Sequence, residues 1–546
     1  MRRLLLSLFA TLSTLPGWTA AGEFTVSSQA DFDALNARLQ KLIRAGERDI
    51  RVRFQPGTYF FGEQHIALMG LDYPDLSLSF EGEGVRLVGA GRDLIPTGSG
   101  RRVKAAFEGP FEISHGFVDL ETGRNWDFRT EVRQAKRRPE VVDRAKGLCR
   151  VLTGESSLSA KDATSCRILL TQWYHSACYP VEKIEKGYVY FRSPKVTDDG
   201  SAVTDIDADY RYGHVLPRYI LYNVKSDKVP YVRNGLVHLP GKMSLHECTA
   251  SRVLTVSGCT LKSLTIRGLT FFGNAGDDCL MKLYRSRIGA ISITGCTFEG
   301  IRGDCVVIQF TRGATLKDNL FRQCYRTCID IGYESDRTTV SRCRFVDNGL
   351  ALDNTGCIWN HASGTRITGN VFADFSYCAI GTGIHFSESI SGKCSVLIED
   401  NEIYQTAAFR KKPSRTLMDS GAIYVATIGQ SQVIRNNYIH DIDGPYDNRG
   451  IFLDDGAVNA VVEGNLVVGI ANSYCIDSRR TRWVETHPDT KIDRVNVNNS
   501  IGENTVDGRV RFETRGGDDG CRKGKNTVLK TGYDREKTLR TWKEAR

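Results

Sequence analysis

The sequence predicts an all-β protein whose body is a right-handed parallel β-helix, with an N-terminal capping helix and an inserted β-rich subdomain. The first observation is a motif that recurs nine times: a β-rich run, a polar residue, Asn or Cys in most copies, any residue, then an apolar residue. Its marker positions are separated by 23 to 36 residues and are Leu269, Cys296, Asn319, Cys343, Asn370, Asn401, Asn437, Asn465 and Asn499. One coil per repeat, stacked on its neighbours, would bury the apolar side of every strand.

A second series of markers runs in phase with the first, and each of its members opens a short strand. These markers are Cys279, Cys305, Cys328, Cys357, Cys378, Gly421, Gly450 and Cys475. The third observation is that these windows lack the 3.6-residue apolar period of helical repeats. We therefore expect ladders of Asn amides that bond corner backbone groups, and stacks of buried thiols. Outside the repeat, Cys166 and Cys178 are the candidates for a disulfide bridge.

The N-terminal segments predict an exported chain that begins its solenoid early. Residues 1–21 have a positive start, a short apolar run and small residues at the end, which is typical of a secretory signal peptide. No cysteine precedes Cys149, so we expect no lipoprotein anchor, and we expect a secreted or periplasmic protein. Residues 22–100 form the cap and the first coils, because Ser28 marks a helix start and Pro56-Gly57 marks a turn after a strand.

The rest of the chain divides into three parts. Residues 101–240 lose the period but keep strand-like pieces, which predicts an inserted subdomain that could wall one side of a cleft. Residues 241–515 form the main β-helix, and residues 516–546 form a basic tail. The formal net charge of +9 makes the surface mildly basic, which only weakly favours an anionic glycan as partner.

Functional side chains must lie on the outer surface of a solenoid, because its interior is filled. If the isoleucines of the second series face inward, the residues that face outward on the same strands are Asp330, Trp359, Phe452 and Asp477. His361 and Asp454 lie two positions beyond Trp359 and Phe452. Trp359 is then a candidate for stacking on a sugar ring. The longest corner loops, residues 404–418 and 440–449, flank the same region, and such loops often wall a binding site. They add His440 and Arg449 as candidate substrate-binding residues.

Two acidic motifs, residues 418–424 and 450–456, stand beside this region. Together with Pro56–Tyr59, the insertion and Gly268–Phe271, they resemble the β-helical glycoside hydrolases of family 141, which include α-L-fucosidases and xylanases. The resemblance implies that two Asp residues carry catalysis, with Asp419 and Asp454 as the matching positions and Asp455 beside them.

Glycosidases use one carboxyl group as acid and another as nucleophile or base, about 5 Å apart in retaining and about 6.5 to 9.5 Å apart in inverting enzymes. Asp419 precedes its strand and Asp454 ends the next one, an offset that reaches roughly 20 Å in an extended chain. Asp455, His361, Asp330 and His440 therefore stay as possible partners, and the sequence leaves the pair open.

Two other functions compete with hydrolysis. A polysaccharide lyase would act on a uronate and could use Ca²⁺ or Arg to neutralise the carboxylate, whereas hydrolysis needs no cofactor. A non-catalytic carbohydrate-binding surface protein would depend on aromatic residues instead of Asp. We expect a monomer without a membrane anchor, no nucleic-acid partner because the basic residues form no motif, and no zinc site because no single element carries His/Cys ligand spacing.

Overall fold

A computed structural model describes residues 18–20, 22–97, 103–107, 114–131, 133–154, 166–172, 175–196, 202–204, 216–225, 228–241, 243, 245–276, 278–332, 334–383, 394–412, 415–426, 428–444, 447–454, 456–479, 496–513 and 520–546. Most of the predicted signal peptide lies outside these residues. Asp455 lies outside them as well. Within the described ranges, no helix is both long enough and apolar enough to cross a bilayer.

Eleven parallel strands, one per coil, form what we call the front sheet. They are Ile66–Met69, Leu254–Ser257, Met281–Tyr284, Val306–Gln309, Ile329–Ile331, Gly356–Asn360, Cys378–Thr382, Ser420–Val425, Asn448–Leu453, Tyr474–Ser478 and Arg509–Phe512. The second series of markers in the sequence opens these strands, as predicted.

A larger sheet of 24 strands covers the other sides of the solenoid, and we call it the back sheet. Its first strands are Trp18–Ala20, Glu23–Val26, Asp49–Phe54, Gly57–Phe61, Asp72–Gly89, Thr260–Phe272, Arg287–Thr294, Thr297–Glu299, Ala314–Lys317, Leu320–Arg322, Thr339–Ser341 and Arg344–Asn348. The others are Thr365–Thr368, Val371–Phe375, Ser395–Glu399, Glu402–Tyr404, Ile428–Arg435, Tyr438–Ile442, Val458–Glu463, Leu466–Ile470, Ser500–Gly502, Thr505–Val506, Arg522–Lys523 and Thr527–Val528. Apart from the first, all pair in parallel.

Stacked identical residues hold the coils in register, as the repeat predicts. A column of phenylalanines in the core has ring centroids 4.5 to 5.1 Å apart and consists of Phe271, Phe298, Phe321, Phe345 and Phe372. A ladder of amides runs through Asn370, Asn401, Asn437, Asn465, Asn504 and Asn526.

The prediction that Asn499 is the last marker of the ladder was wrong, because the ladder continues through Asn504, at the next corner of the coil. Asn504, not Asn499, accepts the Asn465 backbone N–H at 3.0 Å, whereas Asn499 accepts the Ala460 N–H at 2.9 Å. The long segment between residues 465 and 499 hides this register from sequence inspection.

The predicted capping helix is present as two pieces, Gln29–Asp33 and Leu35–Arg44. Ser28 caps the first by accepting from the Asp31 N–H, as its position predicts. Phe32 and Leu39 are fully buried against the first coils. The pair therefore covers the apolar end of the solenoid.

The insertion is β-rich, as predicted, and its strands are antiparallel. They are Gly91–Leu94, Val103–Ala106, Gly116–Asp119, Arg124–Trp126, Arg133–Gln134, Glu140–Asp143, Leu148–Leu152, Arg167–Gln172, His175–Glu185, Tyr188–Arg192, Pro194–Val196, Ala202–Thr204, Arg218–Tyr222, Tyr231–Arg233, Leu236–Leu239 and Leu245–Cys248.

The predicted bridge between Cys166 and Cys178 is wrong, since both are free thiols. Cys178 lies opposite Leu169 in the hairpin and packs toward the solenoid. Leu169 follows Cys166 by three positions along the chain. Cys166 points into the insertion's own core, on the other side of the sheet. A disulfide needs Cβ atoms about 3.5 to 4.5 Å apart, which opposite faces do not allow.

The segment predicted as a basic tail adds a last coil and a helix. Strands Arg522–Lys523 and Thr527–Val528 extend the back sheet, and helix Arg535–Glu544 follows. Trp542 donates its indole N–H to the Gly464 carbonyl at 2.8 Å. The helix therefore covers the outside of the back sheet. The only other helix in the described chain is the short Ala407–Arg410.

Candidate functional site

The outward positions of the front sheet form one column across neighbouring coils. Strand pairing places Asp330 beside Trp359, Trp359 beside Gly381, and Gly381 beside Tyr424. Phe452 and then Asp477 continue the column. The sequence predicted this register correctly for Asp330, Trp359, Phe452 and Asp477.

The insertion packs along one margin of this column. Arg129 donates to the Leu350 carbonyl at 2.6 Å, and Arg218 donates to the Thr416 carbonyl at 2.5 Å. An apolar cluster joins the two parts and includes Trp126, Phe128, Leu169, Ile220, Tyr222, Leu352, Trp359, Tyr377 and Leu417. Tyr424 and Phe452 belong to the same cluster, so the insertion covers most of the column, whereas the Asp330 side chain is 22% exposed. We call the surface of the front sheet beside the insertion the front cleft.

Asp330 is the carboxyl group that this environment perturbs most clearly. Its side chain is 22% exposed, and Oδ1 has no hydrogen-bond partner among the described residues. Burial, and then the negative charge of Asp304, raise its pKa to about 7. His361 Nε2 lies 3.9 Å from Oδ1. Near neutral pH, Asp330 therefore holds a proton for a large share of the time.

Asp304 is a second carboxyl group one coil away. Its Oδ1 accepts the Thr327 N–H at 3.0 Å. Burial raises its pKa, while Arg326 and the Thr327 hydrogen bond oppose that shift. Asp330 pairs with Val307 of that coil, so Asp304 lies one coil step away and three residues, or about 10 Å, along the chain before Val307. Sequence inspection missed Asp304, although it directly precedes the marker Cys305.

Trp359 faces outward as predicted, but it is not an open platform for a sugar. Its indole ring covers Gly381 of the next coil so closely that a Cβ added at Gly381 would stand only 1.5 Å from the indole Cζ3. The residue is 8% exposed and belongs to the cluster that joins the insertion to the solenoid. The prediction that this ring is freely exposed is wrong.

Asp454 forms a second polar centre of the front cleft together with Tyr424. The tyrosine hydroxyl donates to Asp454 Oδ2 at 2.6 Å. Burial raises the pKa of Tyr424 well above its usual value, and the charge of Asp454 raises it further. The phenol therefore stays protonated and keeps donating. Tyr424 was not singled out in the sequence, because an outward Tyr on a strand is unremarkable by pattern.

Asp419 and Arg449 belong to a network of ion pairs at the start of these strands. Arg449 is fully buried and contacts Asp419 at 3.2 Å, Asp447 at 2.7 Å and Asp477 at 2.7 Å. Burial raises the pKa of Asp419, an effect that Arg449 opposes. Arg449 has no exposed side-chain surface for substrate, contrary to its predicted role. Asp419 binds this arginine while Asp454 binds Tyr424, so the two carboxylates have different partners at opposite ends of their strands.

His440 lies away from the front cleft, which contradicts its predicted place among the substrate-binding residues. It belongs to strand Tyr438–Ile442 of the back sheet. Its Nδ1 lies 2.8 Å from Asp441 Oδ2, and its ring stacks on Tyr404 and Tyr438 with centroids 4.8 and 4.2 Å apart. The sequence could not show that its loop emerges from the other sheet.

A single cluster of potential metal ligands occurs in the described part of the chain, and it lies in the core and not in the cleft. The thiols of Cys305, Cys324 and Cys328 come from two neighbouring coils and approach within 4.8 Å of one another. From the sequence we expected no zinc site, because no single strand or loop carries His/Cys ligand spacing. These three thiols come together only because the coils stack.

Comparisons with known proteins agree with the fold. Residues 282–487 match the family model "Right handed beta helix region". No curated protein sequence matches this chain. A solved structure named "Glycoside hydrolase" is similar over 95% of this chain and 98% of its own, with a TM-score of 0.62 and 12% identity.

Two further structures are similar at lower scores. The A-module of the mannuronan C-5 epimerase AlgE6 from Azotobacter vinelandii has a TM-score of 0.43 and 10% identity, with 96% of each chain covered. A PL6 family polysaccharide lyase from Pseudopedobacter saltans has a TM-score of 0.38 and 9% identity, with 94% of each covered. The family match and the 0.62 likeness confirm the right-handed parallel β-helix.

Proposed function

We propose that this protein is a glycoside hydrolase that cleaves a polysaccharide in the front cleft, with Asp330 as the proton donor and Asp304 as its carboxylate partner. The observation that carries the proposal is the outward carboxyl group of Asp330, whose Oδ1 has no hydrogen-bond partner among the described residues, with the carboxyl group of Asp304 on the adjacent coil. Burial raises the pKa of both groups, to about 7 for Asp330, and a pair in which one member is protonated and the other ionised can divide acid and base roles.

The chemistry follows from these protonation states. Asp330 donates its proton to the glycosidic oxygen as the bond to the leaving sugar breaks. Asp304, in its ionised form, either attacks the anomeric carbon or removes a proton from the attacking water. His361 Nε2 lies 3.9 Å from Asp330 Oδ1, and in its protonated form it favours the carboxylate that remains after proton transfer.

The Tyr424–Asp454 pair lies three to four coil steps from Asp330, about 14 to 19 Å at about 4.8 Å per step. Both side chains are nearly buried, so we propose that they contact only the end of the sugar chain. In this arrangement, Asp454 binds substrate, while the resemblance to family 141 makes it catalytic; the two assignments predict different kinetics.

The structural likeness supports the scaffold, and the carboxyl groups support the activity. The similar structure named "Glycoside hydrolase" shares the fold over nearly its whole length. At 12% identity that likeness does not transfer a substrate. We also propose that the protein acts outside the cytoplasm, after removal of residues 1–21, which mass measurement of the exported chain would test.

The test is turnover of purified protein on plant and host polysaccharides, with products separated by mass. Asp330→Asn and Asp304→Asn should each lose about a hundredfold or more of the rate. Asp318→Asn is the matched control, because Asp318 is 42% exposed and pairs with Arg342 outside the cleft. Unchanged turnover in folded Asp330→Asn protein would reject the assignment. A product that absorbs in the ultraviolet, from a new double bond, would instead identify a lyase.

A further inference from the structure

Three buried thiols meet inside the solenoid, below the floor of the front cleft. Cys305 and Cys328 directly precede neighbouring strands of the front sheet, and Cys324 lies in the corner between strand Leu320–Arg322 and Cys328. All three are fully buried, and their sulfur atoms lie within 4.8 Å of one another.

The spacing of these sulfur atoms matches what a small thiophilic ion needs. Zinc–sulfur bonds are about 2.3 Å long, so three sulfurs around one ion in a plane are about 4.0 Å apart. Sulfurs already within 4.8 Å reach this geometry through small side-chain rotations. Cys324 Sγ also lies 3.6 Å from the Phe298 carbonyl, much as Cys343 Sγ, outside the cluster, lies 3.6 Å from the Leu316 carbonyl.

We propose that Cys305, Cys324 and Cys328 bind one thiophilic divalent cation, with zinc as the biological ion. Binding displaces two thiol protons to solvent and leaves two thiolates and one neutral thiol as ligands. The resulting complex carries no net charge, which an apolar core tolerates far better than an ion. The ion would tie two neighbouring coils together directly beneath the strand that carries Asp330.

The test uses the full-length protein, reduced and kept free of oxygen. Zinc content is measured by elemental and native mass spectrometry, and Cd²⁺ is titrated as the probe, with thiolate-to-cadmium absorption in the ultraviolet as the signal. We expect one ion per chain and a rise in Tm on binding, since the unfolded chain lacks the assembled site. Cys324→Ala should weaken cadmium binding by about tenfold or more.

Cys343→Ala is the matched control, because it removes an equally buried thiol outside the cluster. If Cys324→Ala fails to fold, Cys305→Ala tests the same site from the other coil. Equal cadmium binding by wild type, Cys324→Ala and Cys343→Ala would overturn the proposal, and so would absence of stoichiometric binding. A disulfide between two of the three cysteines in the exported protein, seen as a mass two hydrogens lower, would overturn it as well. None of these readouts depends on the glycosidase proposal.

Discussion

Replacing Asn437 by Ala tests how much of the solenoid's stability resides in the amide ladder. Asn437 Nδ2 donates to the Ile398 carbonyl and to Asn465 Oδ1, both at 3.0 Å. Its Oδ1 accepts the Asn401 backbone N–H at 3.1 Å. Alanine would leave the Asn401 N–H and the Ile398 carbonyl buried without these partners. At about 1 to 3 kcal/mol for each such group, the loss in unfolding free energy is about 2 to 6 kcal/mol.

The assay is guanidinium unfolding, combined with hydrogen exchange at the Asn401 amide, which should exchange faster in the variant. Asn472→Gly is the control, because Asn472 is exposed and has φ of +62°, a conformation that glycine adopts without strain. If Asn437→Ala unfolds within about 0.5 kcal/mol of that control, as a surface substitution would, the ladder does not stabilise the coils.

Three further predictions concern the front cleft. The wild-type rate should fall as pH rises above about 7, where Asp330 loses its proton, and Asp330→Asn should lose activity yet be more stable than wild type at alkaline pH. The sign follows because a raised folded-state pKa makes stability fall as pH rises from the unfolded value near 4 to about 7. Gly381→Ala should destabilise the protein by about 1 to 3 kcal/mol, measured by unfolding, because its methyl group would displace the Trp359 ring. Asp454→Asn should raise KM more than it lowers kcat, because the proposal makes Asp454 a substrate-binding residue that takes no part in proton transfer. Its Oδ2 accepts a hydrogen bond from the Tyr424 hydroxyl.

Each of these has a contradicting result. A rate that is flat through neutral pH, or an Asp330→Asn protein that is both inactive and less stable, would point to a structural role for the carboxyl group. A Gly381→Ala protein as stable as wild type would mean that Trp359 does not lie across that coil. A loss of about a hundredfold in kcat for Asp454→Asn would favour the assignment implied by the resemblance over the one proposed from geometry.

The repeat predicted the fold because stacking turns sequence period into spatial neighbours. Residues such as Phe298 and Phe321 are 23 positions apart, yet their rings stack at 4.6 Å. The inward and outward faces followed from the two-residue period of strands, so Asp330 and Trp359 were placed on the correct surface. Where a long segment interrupts the period, as before Asn504, the register was lost.

The site was harder to predict because it depends on what covers each outward residue. Trp359 faces outward, but the insertion covers it, and no local pattern reports that contact. Arg449 is buried because three aspartates from different coils surround it. Asp304 escaped notice for the same reason, since its significance depends on Asp330 in the next coil. Stacking of the coils makes residues from distant parts of the chain into neighbours, and the order of residue types along the sequence does not show which residues these are.

The most direct test of the account is a crystal structure of the Asp330→Asn protein with a bound oligosaccharide substrate. We predict that the sugar chain lies along the front sheet, with a glycosidic oxygen within hydrogen-bond reach of the side chain at position 330 and Asp304 on the side of the anomeric carbon. A sugar whose scissile bond sits instead at the Tyr424–Asp454 pair, or outside the front cleft, would contradict it.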